Sequence, residues 1–329
     1  MENMQPIKKM MEEIRSGLSS YWELAGGILR QSGVVLNPPG EDYFSLKSNF
    51  FSLLFLYSFH EAGIPKARRI LYAGTLNCLR GMVTGCDNLL DDEYKQTLDT
   101  DIPETGLKFR SVVDIMVSDR VLFQLLLGAF RRQEINIDMV AAATAASMKT
   151  MTRSGVQEAS EEAGITYILK PDELLETVHH LKTGVLFNCP WDIPLAIEDF
   201  DQSHVAHLLE GLYQIGMGCQ IMDDMVDFIS DIEMQRHNYL ASLIHHSPNQ
   251  IERNRLHELT ARIDPGRQMA DLAKEFPDAI LKASKTFHGF LESGLNKLFS
   301  EHHRFLVEPC MGFLKKRIGV TNLMPNLRQ

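Results

Sequence analysis

Four aspartates stand close together in an otherwise apolar stretch of the chain, "QIMDDMVDFISDIEMQRHNYL" (220–240). Asp223, Asp227 and Asp231 recur at every fourth residue, so a helix would carry them on one face over roughly 12 Å. Carboxylates at this spacing repel one another, and buried acidic residues normally have a partner. Mg²⁺ fits such a row, because it takes one or two carboxylates together with substrate phosphates. The row therefore predicts a magnesium site with Asp223, Asp224, Asp227 and Asp231 as candidate ligands.

A second acidic row lies upstream, in "LRGMVTGCDNLLDDE" (79–93). Asp87 and Asp91 form an i, i+4 pair, Arg80 lies seven residues before Asp87 on the same side, and Asp92 is a further candidate ligand. A cluster of acids at a helix end is also typical of a solvated turn, so this row alone leaves both interpretations open. Two such rows in long apolar helices predict a carboxylate-lined cavity in a helical bundle.

The elements that must position these residues are helices. Apolar residues recur at three- and four-residue spacing along most of the sequence, and alternating strand-like runs are scarce. We therefore predict one all-α domain over residues 1–329, a bundle of about ten or more helices around a central apolar cavity. The predicted helices are 5–32, 44–61, 66–95, 110–134, 138–160, 171–188, 203–230, 250–261, 268–300 and 303–317. Pro190 and Pro194 should interrupt the helix that begins near residue 171.

Composition narrows the partners and the compartment. With a net charge of −10, binding of nucleic acid or of an anionic membrane is disfavoured as a main activity. The most apolar stretch, "FFSLLFLYSF" (50–59), is too short to span a bilayer, so stable membrane insertion is not expected. The five cysteines show no zinc-like spacing and the N-terminus has no apolar signal-peptide core, which together favour a cytoplasmic protein.

Three motifs resemble those of the trans-polyprenyl diphosphate synthases, within the class I isoprenoid synthase superfamily. "GMGCQIMDDMVDFISD" (216–231) is similar to their second aspartate-rich motif, G-x-x-x-Q-x-x-D-D-x-x-D. "LKTGVLF" (181–187) is similar to their K-T-G motif and stands at the expected distance before it. "IMVSDRVLFQLL" (115–126) resembles the segment that usually contains A-G-D-x-L-L. The resemblance extends over about residues 45–235.

This resemblance implies the isoprenoid synthase fold, a homodimer, and an allylic prenyl diphosphate as substrate. It implies that the aspartate rows hold three Mg²⁺ ions, which neutralise the departing pyrophosphate so that the allylic C–O bond ionises. Lys182 and Thr183 would then bind the diphosphate, and Gln220 would lie beside the metal row. A lysine before Thr-Gly is by itself typical of a surface residue. Lys182 is a candidate diphosphate ligand only because of its distance from Asp223 in the sequence. The small residues Thr84, Gly85 and Cys86 before the first row indicate a pocket deep enough for a long prenyl chain.

The sequence departs from this family where a second diphosphate would bind. Chain-elongating synthases bind isopentenyl diphosphate through basic motifs, G-K-R and R-R-G. Here the first of these regions, "FSLKSNFFSLL" (44–54), offers only Lys47, and the second, "PETGLK" (103–108), has Glu104 and Thr105 in place of arginines. A glutamate at such a position repels a phosphate. The remaining candidate cations are Arg68, Arg69, Arg110 and Arg153.

The first aspartate motif departs as well. The family pattern D-D-x-x-D is broken by Lys95 in "DDEYK", while "DNLLDD" (87–92) is closer to squalene and phytoene synthases. The segment "RHNYL" (236–240) is similar to R-G-R-x-Y-L-P of those enzymes, which makes Arg236 a candidate substrate contact.

Three hypotheses follow, in descending order of preference. The first is a terpene synthase that ionises one C10–C20 prenyl diphosphate and cyclises the cation or eliminates a proton. The second is a prenyltransferase, either chain-elongating with isopentenyl diphosphate or joining two prenyl chains head to head. The third is a non-catalytic subunit of a heteromeric prenyl synthase. Retention of the metal motif at 220–231 argues against the third.

Overall fold

The computed structural model describes residues 5–91, 94–261 and 269–322. Within these ranges the chain is helical, and its β-type pairing is confined to one isolated bridge between Leu36 and Thr100. The all-α prediction is thus confirmed. No described helix is both long enough and apolar enough to cross a bilayer. The chain divides into two compact units, Met1–Met151 with Cys189–Val205, and Thr152–Asn188 with Ala206–Gln329.

The first unit is built around three long helices that contact one another. Helix α1 buries an apolar stripe at three- and four-residue spacing, from Met10 and Ile14 through Leu18 to Leu29. Its contacts with the next helices bury this stripe on α3 and α4. The α-helices of this unit are α1 (Gln5–Gln31), α2 (Phe50–Glu61), α3 (Lys66–Leu90), α4 (Leu107–Arg131), most of α5 (Ile137–Ser160) and α7 (Asp192–Ile197).

Glycines let these helices approach closely. A Cβ added to Gly17 of α1 would lie 2.6 Å from the Cβ of Ala73 in α3. A Cβ at Gly85 of α3 would lie 2.6 Å from Cγ1 of Ile115 in α4. The absence of a side chain at Gly85 therefore has a packing explanation, in addition to the pocket depth that the sequence suggested.

The second unit contains the end of α5 and the later helices. Glycines again allow close packing, since a Cβ at Gly294 of α13 would lie 2.7 Å from the carbonyl oxygen of Gly211 in α8. The α-helices are α6 (Pro171–Leu174), α8 (Gln202–Val226), α9 (Phe228–Glu233), α10 (Tyr239–His245), α11 (Gln250–Ala261), α12 (Met269–Glu275), α13 (Pro277–Leu298) and α14 (Val307–Ile318).

Several predicted helices end or begin elsewhere. The helix predicted over 66–95 ends at Leu90, because buried Asn88 exchanges two hydrogen bonds with the backbone of Lys95 and turns the chain. The helix predicted over 44–61 begins at Phe50, after a 3₁₀ turn at Glu41–Phe44. The single helix predicted over 268–300 is two, since Pro277 opens a new helix at its first position. Helix α10 was missed.

The segment that follows α6 departs most from a regular helix. Leu175–Val185 has π-helical hydrogen bonding, and Leu186–Trp191 continues as a 3₁₀ helix that contains Pro190. The chain then resumes an α-helix at Asp192. The interruption expected from Pro190 and Pro194 is therefore present. π-helical hydrogen bonding is rare in proteins, and where it occurs it is frequently found at a functional site. The π-helical segment here contains the K-T-G residues 182–184.

Candidate active site

Helix α8 divides its adjacent aspartates between solvent and interior. Asp223 and Asp227 are exposed, whereas Asp224 is buried at 2% exposure. Successive residues point about 100° apart on a helix, and the apolar side of α8 here includes buried Ile221, Met222 and Met225. The four-residue spacing of Asp223 and Asp227 therefore presents two carboxylates on one face, as the sequence predicted, but that face is exposed, whereas the apolar flanking residues had suggested burial.

The helix does not continue unchanged through the whole row. Helix α8 ends at Val226, Asp227 lies between two helices, and α9 begins at Phe228. Backbone hydrogen bonds from Asp227 N to Asp223 O and from Asp231 N to Asp227 O, both 2.8 Å, preserve the helical step across the break. Asp231 differs from the first two in being half-buried. The prediction of one uninterrupted helix over 203–230 was wrong at this point.

Three groups contact the carboxylate oxygens of Asp224. Its Oδ1 accepts a hydrogen bond of 2.8 Å from Nε2 of Gln220, and its Oδ2 accepts one of 2.5 Å from the backbone N–H of Tyr239. His179 Nε2, on the π-helical segment, lies 2.9 Å from the same Oδ2. Asp224 thus holds α8, the π-helical segment and the start of α10 together.

Asn238 connects the acidic row to α10. Its Nδ2 donates to the carbonyl oxygen of Asp224 at 2.6 Å and to Oδ2 of Asp231 at 2.7 Å. Its Oδ1 accepts from the N–H of Ala241 at 3.0 Å, which caps α10. One amide side chain therefore satisfies a helix terminus and fixes the carboxylate of Asp231.

Lys182 lies in the π-helical segment beside the end of α5. Its Nζ is 3.1 Å from Oε2 of Glu158, and its carbonyl oxygen accepts a 2.9 Å hydrogen bond from the hydroxyl of Ser154. The neighbouring Thr183 hydroxyl donates to Oε1 of Gln220. The K-T-G residues are thereby joined to α5 on one side and to α8 on the other.

The charged groups of this region shift one another's pKa values. Burial alone would raise the pKa of Asp224, but His179 and the hydrogen bonds from Gln220 and Tyr239 hold it below the usual range. Burial, followed by repulsion from Asp224, raises the pKa of Asp231 well above that of an ordinary carboxyl group. Burial would lower the pKa of Lys182, but the carboxylate of Glu158, then those of Asp224, Glu161 and Asp231, raise it overall. The region holds more negative charge than its own cations balance.

The first acidic row lies at the end of α3. Asp87 belongs to the last turn, and Asp91 follows the helix as its C-cap, with its N–H bonded to the carbonyl oxygen of Asp87 at 2.8 Å. Both side chains are half-buried. Asp92, the third candidate ligand of this row, lies outside the described residues. The i, i+4 relation of Asp87 and Asp91 survives although the helix is shorter than predicted.

Most of the candidate cations of the first unit are engaged within it. Arg69 makes a two-point contact with buried Glu13 at 2.7 and 2.8 Å, Arg68 lies 3.5 Å from Glu198, and buried Arg110 donates to the carbonyl oxygen of Ile102.

Two cations from the sequence analysis meet at one segment of the first unit. Lys47 and Arg80 are exposed, and Nη1 of Arg80 donates to the carbonyl oxygen of Ser48 at 3.3 Å. This contact brings Arg80 to the segment that carries Lys47. Arg236, in the second unit, is half-buried, and its backbone N–H donates to the carbonyl oxygen of Asp231 at 2.8 Å.

The residues present fit Mg²⁺ rather than a preformed protein cage. Among the described residues, no three His, Cys, Asp or Glu side chains converge on one point. Mg²⁺ does not require this, because it is held by one or two carboxylates, waters and substrate phosphates. Exposed Asp223 and Asp227, one helical turn apart, supply hard oxygen ligands of that kind.

Comparison with known proteins bears on the fold. Residues 110–241 match the family model described as polyprenyl synthetase. Geranylgeranyl pyrophosphate synthetase from Pyrococcus horikoshii is similar in structure, with a TM-score of 0.63 and 16% identity, over 95% of this chain and 99% of that one. The chain has the fold of the trans-polyprenyl diphosphate synthases. The resemblance to class I isoprenoid synthases is therefore confirmed.

Two further structures share this synthase fold. Geranylgeranyl pyrophosphate synthase from Corynebacterium glutamicum, complexed with isoprenyl diphosphate and magnesium, has a TM-score of 0.61 and 14% identity, over 94% of this chain and 98% of that one. Decaprenyl diphosphate synthase from Rhodobacter capsulatus has a TM-score of 0.60 and 14% identity, over 96% and 98%. No curated protein matches the chain by sequence. At such identities the structures establish the fold alone.

Sequence reasoning missed His179, Glu158 and Asn238. His179 is 1% exposed, and its Nε2 lies 2.9 Å from Oδ2 of Asp224. Its position three residues before Lys182 was the available signal. Asn238 precedes a short apolar run, "YLASLI", which is typical of an N-cap. Glu158 carried no signal, because its contact with Lys182 joins residues of different helices.

Proposed function

We propose that this protein is a Mg²⁺-dependent prenyltransferase that joins an allylic prenyl diphosphate to isopentenyl diphosphate and releases pyrophosphate. The observation that carries the proposal is the polyprenyl synthetase match over 110–241. That range contains Lys182, Thr183, Gln220 and the aspartates of α8, so the similarity falls on the residues with the appropriate chemistry. The ranking differs from that of the sequence alone, which preferred a single-substrate terpene synthase.

In this proposal Asp223 and Asp227 are the principal Mg²⁺ ligands of the second row. Their exposure and spacing support this role, whereas Asp224 has a structural role because its oxygens already accept hydrogen bonds. The role of Asp231 lies between metal binding and structural support, because its carboxylate accepts a hydrogen bond from Asn238. Asp87 and Asp91, with Asp92, would supply the ligands of the first row. Bound Mg²⁺ neutralises the charge that develops on the departing diphosphate.

The chain's own residues then orient the diphosphate. Lys182 contributes a protonated ammonium group that neutralises phosphate charge, and Thr183, through its hydrogen bond to Gln220, fixes the lysine's segment against α8. Apolar surroundings would shield the allylic cation from water after the C–O bond breaks. We propose an allylic prenyl diphosphate as the substrate class and three Mg²⁺ ions as the number of metal ions bound.

Lys47 and Arg80 support a second diphosphate site. They are exposed cations brought to one segment, in the region where the family has its G-K-R motif. We therefore propose that they bind isopentenyl diphosphate in place of the missing arginines.

A terpene synthase is the second candidate function. It is favoured by exposed Glu104, which stands at a position where the chain-elongating synthases have an arginine.

An assay with Mg²⁺ distinguishes these functions. Geranyl, farnesyl and geranylgeranyl diphosphate are each supplied with and without isopentenyl diphosphate, and hydrocarbons are separated from longer diphosphates. We expect a longer diphosphate that forms only when isopentenyl diphosphate is present. Hydrocarbon product without isopentenyl diphosphate would instead establish a terpene synthase. Absence of product from every substrate would favour a non-catalytic subunit.

A paired substitution tests the second site. Lys47→Ala with Arg80→Ala should raise the KM for isopentenyl diphosphate by roughly a hundred-fold or more, since each charge-assisted hydrogen bond contributes about 1.5–3 kcal/mol and the pair therefore about 3–6 kcal/mol. The KM for the allylic substrate should change little. The matched control is Lys66→Ala, which removes an exposed charge at the start of α3. Equal changes in both KM values would contradict the assignment.

We also propose that a second copy of this chain covers an apolar stripe on α4. Phe109, Val112, Met116, Phe123 and Phe130 are exposed at spacings of 3, 4, 7 and 7, which places them along one side of the helix. The opposite side of α4 faces α1 and α3. This stripe is costly in water, although exposed Asp119 and Arg120 lie between Met116 and Phe123, and a twofold axis lets identical stripes pack on each other.

Phe123→Glu should therefore convert a dimer into a monomer. The substitution places a charge in the centre of the stripe, where burial against a second copy would be unfavourable. Light scattering coupled to size-exclusion chromatography measures the mass. Gln124→Glu is the matched control, because it adds the same charge at the adjacent exposed position outside the stripe. A monomeric wild-type protein, or a dimer that survives Phe123→Glu, would contradict this proposal.

A further inference from the structure

The ammonium group of Lys182, on which the proposed function relies, is paired with the carboxylate of Glu158. Nζ of Lys182 is 3.1 Å from Oε2 of Glu158. A lysine that serves as a phosphate ligand must exchange this carboxylate for a phosphate oxygen. The question is whether the pair holds the segment in place or controls the availability of the lysine.

Two other contacts already hold the backbone of this segment. The hydroxyl of Ser154 donates to the carbonyl oxygen of Lys182, and the hydroxyl of Thr183 donates to Gln220. Ser154 and Glu158 lie one turn apart on α5, so the serine contact brings the same face of α5 against the segment. Neither contact uses the ammonium group. These two contacts hold the backbone around Lys182 without using its charge.

The pair is accessible to an anion from solvent. The side chains of Lys182 and Glu158 are 18% and 23% exposed. They are buried enough that an unpaired ammonium group would be costly, and exposed enough that phosphate oxygens can reach Nζ. Diphosphate carries more negative charge than one carboxylate and offers several acceptors, so it competes well for the lysine.

Several carboxylates besides that of Glu158 act on the ammonium group of Lys182. Burial lowers the pKa of the ammonium group, but besides Glu158 three further carboxylates, those of Asp224, Glu161 and Asp231, raise it. Glu161 is itself engaged, because its Oε2 accepts the backbone N–H of His237 at 2.9 Å. Glu158 is the acid in direct contact with the ammonium group.

We propose that Glu158 is a latch that pairs with Lys182 in the substrate-free protein and is displaced by the diphosphate group of the substrate. The latch sets the affinity for diphosphate, since each binding event must break the pair. It also keeps a half-buried ammonium group neutralised before substrate arrives. This inference rests on the proposed function, because it takes Lys182 as the diphosphate ligand.

Calorimetric titration with inorganic pyrophosphate and Mg²⁺ tests the latch. Glu158→Gln should bind pyrophosphate about ten-fold more tightly than the wild type, because the competing carboxylate is gone. Glu162→Gln is the matched control: it removes the same charge from an exposed residue four positions along the chain and should change the affinity little. Glu158→Asp shortens the side chain, so it should give intermediate tightening, and it serves if Glu158→Gln does not fold.

A double-mutant cycle with Lys182→Gln isolates the pair. If Glu158 acts through Lys182, Glu158→Gln should have no effect on pyrophosphate affinity in the Lys182→Gln protein. Tightening that persists there, or that Glu162→Gln reproduces, would show a general charge effect and overturn the latch. A wild type that binds pyrophosphate while neither Glu158 variant binds it more tightly would overturn the latch alone. A failure of every form to bind pyrophosphate would overturn the proposed function and the latch with it.

Discussion

Asp223→Asn should lose about a thousand-fold in kcat while its free energy of unfolding stays the same or rises. The side chain is exposed and belongs to a row of like charges, so its removal relieves repulsion within the fold. Loss of a Mg²⁺ ligand removes several kcal/mol of transition-state stabilisation, and about 4 kcal/mol corresponds to a thousand-fold in rate. Steady-state kinetics and urea denaturation of the same preparation measure the two quantities.

Asp227→Asn should behave in the same way, because Asp227 is exposed one turn further along. A control on the same surface is Ser230→Ala, an exposed residue of α9 without a carboxylate. Retained turnover in purified Asp223→Asn protein would refute the assignment of the metal ligands. A large loss of stability in that variant would also count against it, since it would indicate a structural role.

The adjacent residue should show the opposite pattern. Asp224→Asn is expected to lower the free energy of unfolding by roughly 3–5 kcal/mol, the usual cost of breaking a buried charge pair. Both carboxylate oxygens accept hydrogen bonds, from Gln220 at Oδ1 and from Tyr239 at Oδ2, and His179 lies beside Oδ2. An asparagine in either orientation must turn its NH₂ group towards a donor.

Urea denaturation of Asp223→Asn and Asp224→Asn side by side gives the decisive contrast. The two substitutions are chemically identical and one residue apart, so unfolded-state effects are closely matched. His179→Gln should destabilise in the same direction as Asp224→Asn, because it removes the imidazole that lies 2.9 Å from the buried carboxylate. Equal stability of the two asparagine variants would disprove the division of roles between Asp223 and Asp224.

The sequence could predict the exposed part of the site because that part is local. The spacing of Asp223 and Asp227 needs only one helical turn, and it holds even though α8 ends at Val226. The same rule does not reveal that Asp231 is half-buried and that its carboxylate is held by Asn238 beyond the next turn. A periodic pattern predicts which face a residue shares, but it carries no information about a partner that returns from a later loop.

The helix boundaries show the same limit. Pro277 was visible in the sequence as a possible first residue of a helix, and Asn238 as a possible cap, so α13 and α10 could have been predicted from local signals. The π-helical geometry of Leu175–Val185 could not, because contacts from α5 and α8 hold that segment. Likewise, nothing local reveals that Gly85 is small because Ile115 packs against it.

The bonds of Asn238 have a consequence for local opening of the protein. Its side chain bridges the carbonyl oxygen of Asp224, the carboxylate of Asp231 and the first turn of α10. The end of α8, the short α9 and the start of α10 cannot fray one at a time without breaking the same amide contacts. We therefore expect these segments to form one cooperative unit of native-state hydrogen exchange, in which the amides of Tyr239 and Ala241 are protected and released together.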